Sequence, residues 1–117
     1  MRTISFHCTE RGDCPVEDFL DSLTGKQAQK VVWVLRLVEE MDALPAQYFR
    51  KLSDTQDIWE VRVQFGGDIF RPLGFFAHST LLVLTNGFAK KTQKTPSQEI
   101  ALAERRRQEY LSREAKQ

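Results

Sequence analysis

A change in the period of the hydrophobic pattern, which begins at Asp57, constrains the fold more than any other feature of this chain. Before this point apolar residues recur at helical spacing, and after it they alternate with polar residues. The alternation gives a strand with Trp59, Val61, Val63 and Phe65 on one face and Glu60, Arg62 and Gln64 on the other. Gly66-Gly67-Asp68 then predicts a hairpin turn, because adjacent glycines readily adopt positive φ.

Two more strands follow this turn, over Ile69–Ala77 and Leu81–Phe88, with His78-Ser79-Thr80 as the turn between them. Leu81–Leu84 is apolar at every position, which predicts a central strand that is buried on both faces. Pro72 cannot donate a hydrogen bond to a neighbouring strand. It therefore predicts either an edge position or a bulge for the middle strand.

Helical spacing of apolar residues predicts a hairpin of two helices before the strands. The first helix is expected to begin after Asp13 or Cys14, with Pro15 near its first position, and to end at Gly25. The second is expected to begin near Thr24 or Lys26 and to stop before Pro45. Its apolar stripe consists of Val31, Val34, Leu35, Val38 and Met41.

The last predicted element is a helix with Thr95 as its cap, Pro96 in its first position and Gln98 completing a capping box. Residues 112–117 are expected to fray. Together with a half-buried strand over Thr3–Cys8, the order is β, α, α, β, β, β, α. This order predicts a single α+β domain over residues 1–117, in which helices lie largely on one face of an antiparallel sheet and the other face is open to a partner.

Hydropathy and cysteine content indicate the compartment. The longest apolar runs are too short to span a bilayer, and the alternating first residues do not resemble a signal peptide, so we expect a cytoplasmic protein without membrane contact. Cys8 and Cys14 are expected to be free thiols, with a disulfide between them as the alternative.

Charge is unevenly distributed along the chain. Residues 1–60 contain seven Lys/Arg and eleven Asp/Glu, whereas residues 61–117 contain ten Lys/Arg and five Asp/Glu. The second half is therefore the expected place for an anionic partner, unless folding mixes the two halves on one surface. His7 and His78 are interpreted as ordinary surface histidines, and no motif for a metal or a cofactor occurs.

The residues that could bind an anion are Arg62, Arg71, Lys90, Lys91 and Lys94. The three lysines belong to Phe88–Pro96, a basic turn between a strand and a helix whose N-terminal N–H groups also favour an anion. Alternatively, Arg62 pairs with Glu60 or Asp68 and the lysines are merely solvated. Arg105, Arg106 and Arg107 are either the solvated side of the last helix or a surface for an acidic partner.

Several segments together resemble the phage-derived HigB-like branch of the RelE/ParE toxin superfamily. They are Leu52-Ser53-Asp54, Ile58-Trp59-Glu60-Val61-Arg62, Phe70-Arg71, and Leu81–Ile100 followed by Ala103 and Arg106; the Phe-x-Lys-Lys-Thr-x-Lys-Thr-Pro stretch at 88–96 is the most specific. The resemblance implies a RelE-like fold, in which a helical hairpin packs on a curved antiparallel sheet. It also implies a toxin that is encoded beside a helix-turn-helix antitoxin and cuts mRNA in the ribosomal A site.

Carried over by motif position, Arg62 and Arg71 match the sheet arginines that line the family's RNA cleft, and Lys90 and Lys91 match the basic residues of its closing segment. The implied enzyme is a metal-independent endoribonuclease that needs no cofactor, since the 2′-OH of the RNA attacks the adjacent phosphate. Arg71 is the first choice for binding that phosphate, because a planar guanidinium can donate two parallel hydrogen bonds to two phosphate oxygens. Lys90 or Lys91 would move protons.

Further contacts are expected to RNA from Lys94 and His78 and to the antitoxin from Arg105, Arg106 and Arg107. Two other functions fit the same resemblance. One is a ParE-like toxin that blocks DNA gyrase without catalysis, and the other is an inactive module that only binds the antitoxin and co-represses its operon.

Overall fold

The computed structural model describes residues 1–90 and 94–116. Along the chain these form β1 (Thr3–Phe6), α1 (Pro15–Asp21), α2 (Gly25–Glu40), β2 (Phe49–Lys51), β3 (Trp59–Val61), β4 (Val63–Phe65), β5 (Asp68–His78), β6 (Leu81–Ala89) and α3 (Ser97–Ala115). The fold is α+β, as the sequence predicts. In the described part of the chain, no helix is both long and apolar enough to cross a membrane.

The strands form one sheet in the order β1-β6-β5-β3-β2, and β4 also pairs with β5. The β1–β6 pair is parallel, with Ile4 opposite Leu82, and the other pairs are antiparallel. The expectation of an antiparallel sheet is therefore wrong at β1. The interior position of β6, between β1 and β5, is confirmed.

Helices cover both faces of this sheet. The hairpin of α1 and α2 packs on one face, where Val31 and Val38 belong to one cluster with Leu82 and Leu84. On the other face, Ala103 of α3 packs in a second cluster with Phe75 and Val83. The expectation that helices lie largely on one face is wrong, because β5 and β6 carry apolar side chains on both sides and each side needs a cover.

The predicted strand over Trp59–Phe65 is interrupted at Arg62, whose N–H donates to the Tyr48 carbonyl at 2.9 Å. On the facing strand, Leu73 pairs with Glu60 and Phe70 pairs with Val63, so Pro72 lies opposite the interruption. An edge position for Pro72 is wrong, since β5 is central. The predicted bulge has a counterpart in a register shift between Leu73 and Gly74.

The capping residues explain where α1 ends and where α2 begins. Thr24 and Gln27 form a reciprocal capping box, in which Thr24 Oγ1 accepts from the Gln27 N–H. Gly25 therefore begins α2 and does not end α1, which stops at Asp21. Met41 lies beyond the end of α2 and is exposed, although the stripe was expected to include it.

The start of α3 also differs from the expectation. Pro96 occupies the N-cap position and makes no side-chain cap, whereas Thr95 is buried and its hydroxyl donates to the carboxylate of Glu60. The predicted capping box at Thr95 is wrong, because a buried carboxylate binds the hydroxyl instead. The helix continues through Ala115, past the point at which we expected it to fray.

Cys8 and Cys14 form a disulfide, so the expectation of two free thiols is wrong. The turn between them brings the two residues together. Within it, the Thr9 N–H donates to the Asp13 carbonyl at 2.7 Å, and Gly12 adopts a φ of +93° that favours glycine.

Candidate functional site

A buried carboxylate lies at the centre of the basic part of the sheet. Glu60 is fully buried, and its Oε1 lies 3.5 Å from Arg50 Nε and 3.2 Å from Arg62 Nε. Its Oε2 lies 3.9 Å from Arg71 Nη1 and accepts the hydroxyl hydrogen of Thr95. We call these five residues the Glu60 cluster: Arg50, Glu60, Arg62, Arg71 and Thr95.

Local structure explains why these side chains meet. Ile58 and Leu73 face α3, and strand alternation places Glu60 and Arg71 on that same side of the sheet. The β2–β3 register sets Arg50 directly opposite Glu60. Thr95 reaches the carboxylate from the segment before α3. The alternative that Arg62 pairs with Glu60 is therefore confirmed.

The Glu60 cluster carries an excess of positive charge. It contains three guanidinium groups and one carboxylate, so three minus one leaves a formal charge of +2. Burying such charges is favourable only when they are paired and hydrogen-bonded, and Glu60 pairs with all three arginines. The remaining positive charge attracts an anion to the surface above the cluster.

The three arginines differ in their access to that surface. The side chain of Arg71 is fully buried, and this burial, partly offset by Glu60, lowers the pKa of its guanidinium. The side chains of Arg62 and Arg50 are 14% and 40% exposed. A phosphate on the surface would thus meet Arg50 and Arg62, with Arg71 behind them.

Arg50 is the member of the cluster that our sequence analysis missed. Its strand β2 has only three residues, too few for alternation to stand out. A signal was nevertheless present, since Arg50 follows the buried Phe49 just before Leu52-Ser53-Asp54. A short strand over Phe49–Lys51, paired with the Trp-Glu-x-Arg segment, accounts for the position of Arg50 opposite Glu60.

Two of the three candidate lysines are described, and both precede Thr95 of the Glu60 cluster by five residues or fewer along the chain. Lys90 is exposed and its N–H donates to the Ile69 carbonyl at 3.0 Å, which continues the pairing of β5 with β6. Lys94 is exposed and directly precedes Thr95. Lys91 lies outside the described residues.

His78 is not brought to this cluster. It is exposed, as expected, but lies at the far end of β5, seven residues from Arg71. At about 3.3 Å per residue, seven residues of extended strand span roughly 23 Å. The structure therefore separates His78 from the other predicted RNA contacts.

The arginines of α3 do not form one exposed patch. Arg106 Nη1 donates to the Thr85 carbonyl at 2.9 Å, and burial lowers the pKa of its guanidinium. Arg107 Nη1 donates to Gln56 Oε1 at 3.3 Å. Arg105 is the exposed member of the three, so a partner on this side would meet Arg105 first.

His7 is buried, and its interpretation as a surface histidine is wrong because α3 covers the end of β1. Arg113 Nη2 lies 3.3 Å from His7 Nδ1, and Glu109 Oε1 lies 3.9 Å from its Nε2. Burial, with a further contribution from Arg113, lowers the pKa of His7. Its partners belong to the C-terminal half of α3, whereas Thr95 of the Glu60 cluster precedes this helix.

A comparison with protein families identifies the chain. The model of the phage-derived Gp49-like proteins (DUF891) matches residues 18–108. The chain belongs to this Gp49-like family. The family is related to the RelE-like toxins of toxin–antitoxin systems. A search of curated proteins found no match.

The match covers every member of the Glu60 cluster in this Gp49-like protein, together with β2–β6 and α2. It excludes β1, the disulfide and the last turns of α3. Among residues 1–90 and 94–116, no group of three or more His, Cys, Asp and Glu side chains could hold a metal ion. The chemistry that the described Gp49-like site offers is anion binding by guanidinium and ammonium groups.

Proposed function

We propose that this protein is the toxin of a type II toxin–antitoxin system and that it cuts mRNA on the ribosome. One observation carries the proposal: three arginines share the buried carboxylate of Glu60, and two of them reach the surface. The exposed Lys90 and Lys94, close to Thr95 along the chain, add positive charge that favours an RNA phosphate. The relation of the Gp49-like family to RelE-like toxins supports the same function.

The proposed reaction uses the RNA as its own nucleophile. The 2′-oxygen attacks the adjacent phosphorus while the bond from phosphorus to the 5′-oxygen breaks, which leaves a 2′,3′-cyclic phosphate and a 5′-hydroxyl. A base removes the proton of the 2′-OH, and an acid gives a proton to the leaving 5′-oxygen. The protein must align these three atoms and stabilise charge on the phosphoryl oxygens.

The geometry suggests a division of roles. Arg62 and Arg50 would bind the phosphoryl oxygens, because their side chains reach the surface. Arg71, the predicted phosphate ligand, would act as a positioning residue through Glu60, since it is fully buried. Lys90 and Lys91 remain the proposed proton donor and acceptor, and Lys94 a contact to flanking RNA.

The partners follow from the same proposal. A helix-turn-helix antitoxin would neutralise the toxin either by covering the Glu60 cluster or by binding α3 through Arg105. The proposed function places the toxin in the cytoplasm, where ribosomes and mRNA are found. Arg106 and Arg107 contribute to this surface less than expected, because both already bind groups of this chain.

Primer extension on cellular mRNA tests the function. Induction of the chain alone should produce cuts at codon boundaries, and Arg62→Ala should reduce them at least about tenfold, as loss of one charge-stabilising donor does in other enzymes. Arg36→Ala is the matched control, since Arg36 is an exposed cation on α2 outside the cluster. Its cuts should equal those of the unaltered chain.

Two outcomes would replace the proposal. DNA damage without mRNA cuts would assign the chain to gyrase inhibition. Unimpaired growth at normal protein levels would leave an inactive module that binds its antitoxin. Both outcomes can be observed in the same induced cultures.

A further inference from the structure

Two adjoining grooves open beside the Glu60 cluster. Their volumes are about 450 Å³ and about 320 Å³, and they share Tyr48, Arg62 and Gln64. The smaller groove is completed by Gln47 and Ile69. Its size lies at the lower end of the range for pockets that hold small ligands.

Tyr48 is fixed beside Arg62 by the backbone. The Tyr48 N–H donates to the Pro45 carbonyl at 2.9 Å, and its own carbonyl accepts from the Arg62 N–H at 2.9 Å. The residue is nevertheless 44% exposed. An aromatic ring held at the surface next to a cation provides a stacking partner for a planar ligand.

The side chains around this ring have the chemistry that recognises unpaired nucleotides. Gln47 and Gln64 offer amide donors and acceptors for the edge of a base, and Arg62 offers a guanidinium for a phosphate. Glu60 holds Arg62 at 3.2 Å, so the guanidinium is oriented before any ligand arrives.

We propose that the smaller groove binds one unpaired nucleotide of single-stranded RNA, with its base stacked on Tyr48 and its phosphate at Arg62. This inference rests on the proposed function and gives it a binding subsite. RNA is favoured over a protein segment because four of the five lining residues, all but Ile69, are aromatic or polar, and because the groove is continuous with the positively charged Glu60 cluster.

The proposed nucleotide subsite does not extend into the larger groove. Trp33, Leu37, Met41 and Leu44 give it an apolar lining that differs from that of the smaller groove. Trp33 is 55% exposed and lies on α2, so it provides an exposed aromatic side chain outside the smaller groove. It therefore serves as the matched control for Tyr48.

Fluorescence anisotropy with a 5′-labelled single-stranded RNA octamer and the full chain tests the subsite. Tyr48→Ala should weaken binding about tenfold, as loss of one stacked base does. Tyr48→Phe, which keeps the ring, and Trp33→Ala should each bind within about twofold of the unaltered chain. Arg62→Ala should lower the slope of log affinity against log salt by about 0.7, the value for one phosphate contact on a single strand.

The proposal is overturned if Tyr48→Ala binds the octamer normally, if Trp33→Ala weakens binding equally, or if the unaltered chain does not bind it. If Tyr48→Ala abolishes binding of the antitoxin but leaves octamer binding unchanged, the groove binds a protein partner and not RNA. The two proposals can fail separately. If the octamer binds in a Tyr48-dependent way but the chain makes no mRNA cuts, the subsite is supported and the proposed endonuclease function is not. Thermal unfolding of each variant verifies that it is folded.

Discussion

Glu60 compensates the charge of three arginines, and its removal would leave those guanidinium groups facing one another. Two of the residues concerned, Glu60 and Arg71, are fully buried and cannot turn to water for compensation. Arg50 and Arg62 can partly do so, because their side chains reach the surface. The stability of the cluster therefore depends on the buried pair more than on the two outer arginines.

Glu60→Gln should lower the free energy of unfolding by about 3–5 kcal/mol, because it removes the buried negative charge that pairs with three arginines. The double variant Glu60→Gln/Arg71→Met should recover part of this loss, since it also removes one buried positive charge. Urea unfolding measures both. Glu40→Gln, an exposed carboxylate of α2, is the control and should change little. If Glu60→Gln and Glu60→Gln/Arg71→Met had the same free energy of unfolding, the buried charge of Arg71 would not be a cause of the loss.

His7 should make the protein less stable in mild acid. Because burial lowers its pKa below the ordinary value of 6.5, the unfolded chain binds a proton at a pH where the folded chain does not. Its contribution to stability is therefore full above pH 6.5 and falls as the pH drops from there toward the lowered pKa. Urea unfolding at pH values of about 5.5 and 7.5 should show this loss.

The two histidines of the chain provide the comparison for this experiment. His7→Asn should show a smaller loss of stability between the two pH values, whereas the exposed His78→Asn should behave like the unaltered chain. The same loss in all three proteins would mean that carboxylates, and not His7, cause it.

At the scale of elements, β5 and β6 approach each other too closely at Gly74 for any side chain. A Cβ built there would lie 2.4 Å from the Val83 carbonyl oxygen, a backbone atom with little freedom to move. At Gly87 a Cβ would lie 2.5 Å from the ring of Phe19 in α1. One glycine thus permits the pairing of two strands, and the other permits a helix to pack on the sheet.

Gly74→Ala should destabilise the protein by about 1–3 kcal/mol, and Gly87→Ala by less, because a side chain can move where a backbone cannot. Gly67→Ala is the control, since a Cβ there meets nothing within 4 Å. Thermal unfolding of the three variants checks the order. A Gly67→Ala variant as unstable as Gly74→Ala would show that the glycines matter for chain flexibility and not for space.

Local patterns predict the elements of this fold better than their boundaries and partners. The capping role of Thr24 could be read from its neighbours, because every partner in that motif lies within one turn. Thr95 has the same local pattern and a different role, since its partner Glu60 is 35 residues away. Likewise, the sequence predicts Arg62 and Arg71 as site residues, but the burial of Arg71 depends on the register of strands that local patterns do not fix.

At the scale of the whole molecule, two of the polar contact regions among the described residues lie apart from each other. The Glu60 cluster lies on the β2–β3–β5 side of the sheet, and the His7, Arg113 and disulfide region lies at β1 and the end of α3. Reduction of the disulfide should therefore affect stability without affecting the candidate site.

Reduction of Cys8–Cys14 should lower the free energy of unfolding by about 2 kcal/mol, the loop-closure value for so short a loop. The octamer affinity and the mRNA cuts should be unchanged. Urea unfolding with and without dithiothreitol measures the first, and a Cys8→Ser/Cys14→Ser variant reproduces reduction without the reagent. A loss of RNA binding in that variant would show that the two regions are coupled.

The order in which the chain is synthesised delays completion of the Glu60 cluster. Its members are spread along the chain from Arg50 to Thr95, so a growing polypeptide cannot close the cluster until Thr95 has been made. Truncated products that end before Thr95 would lack the hydroxyl partner of Glu60 and all of α3. The complete cluster therefore forms late in synthesis, and we expect shorter products to lack it.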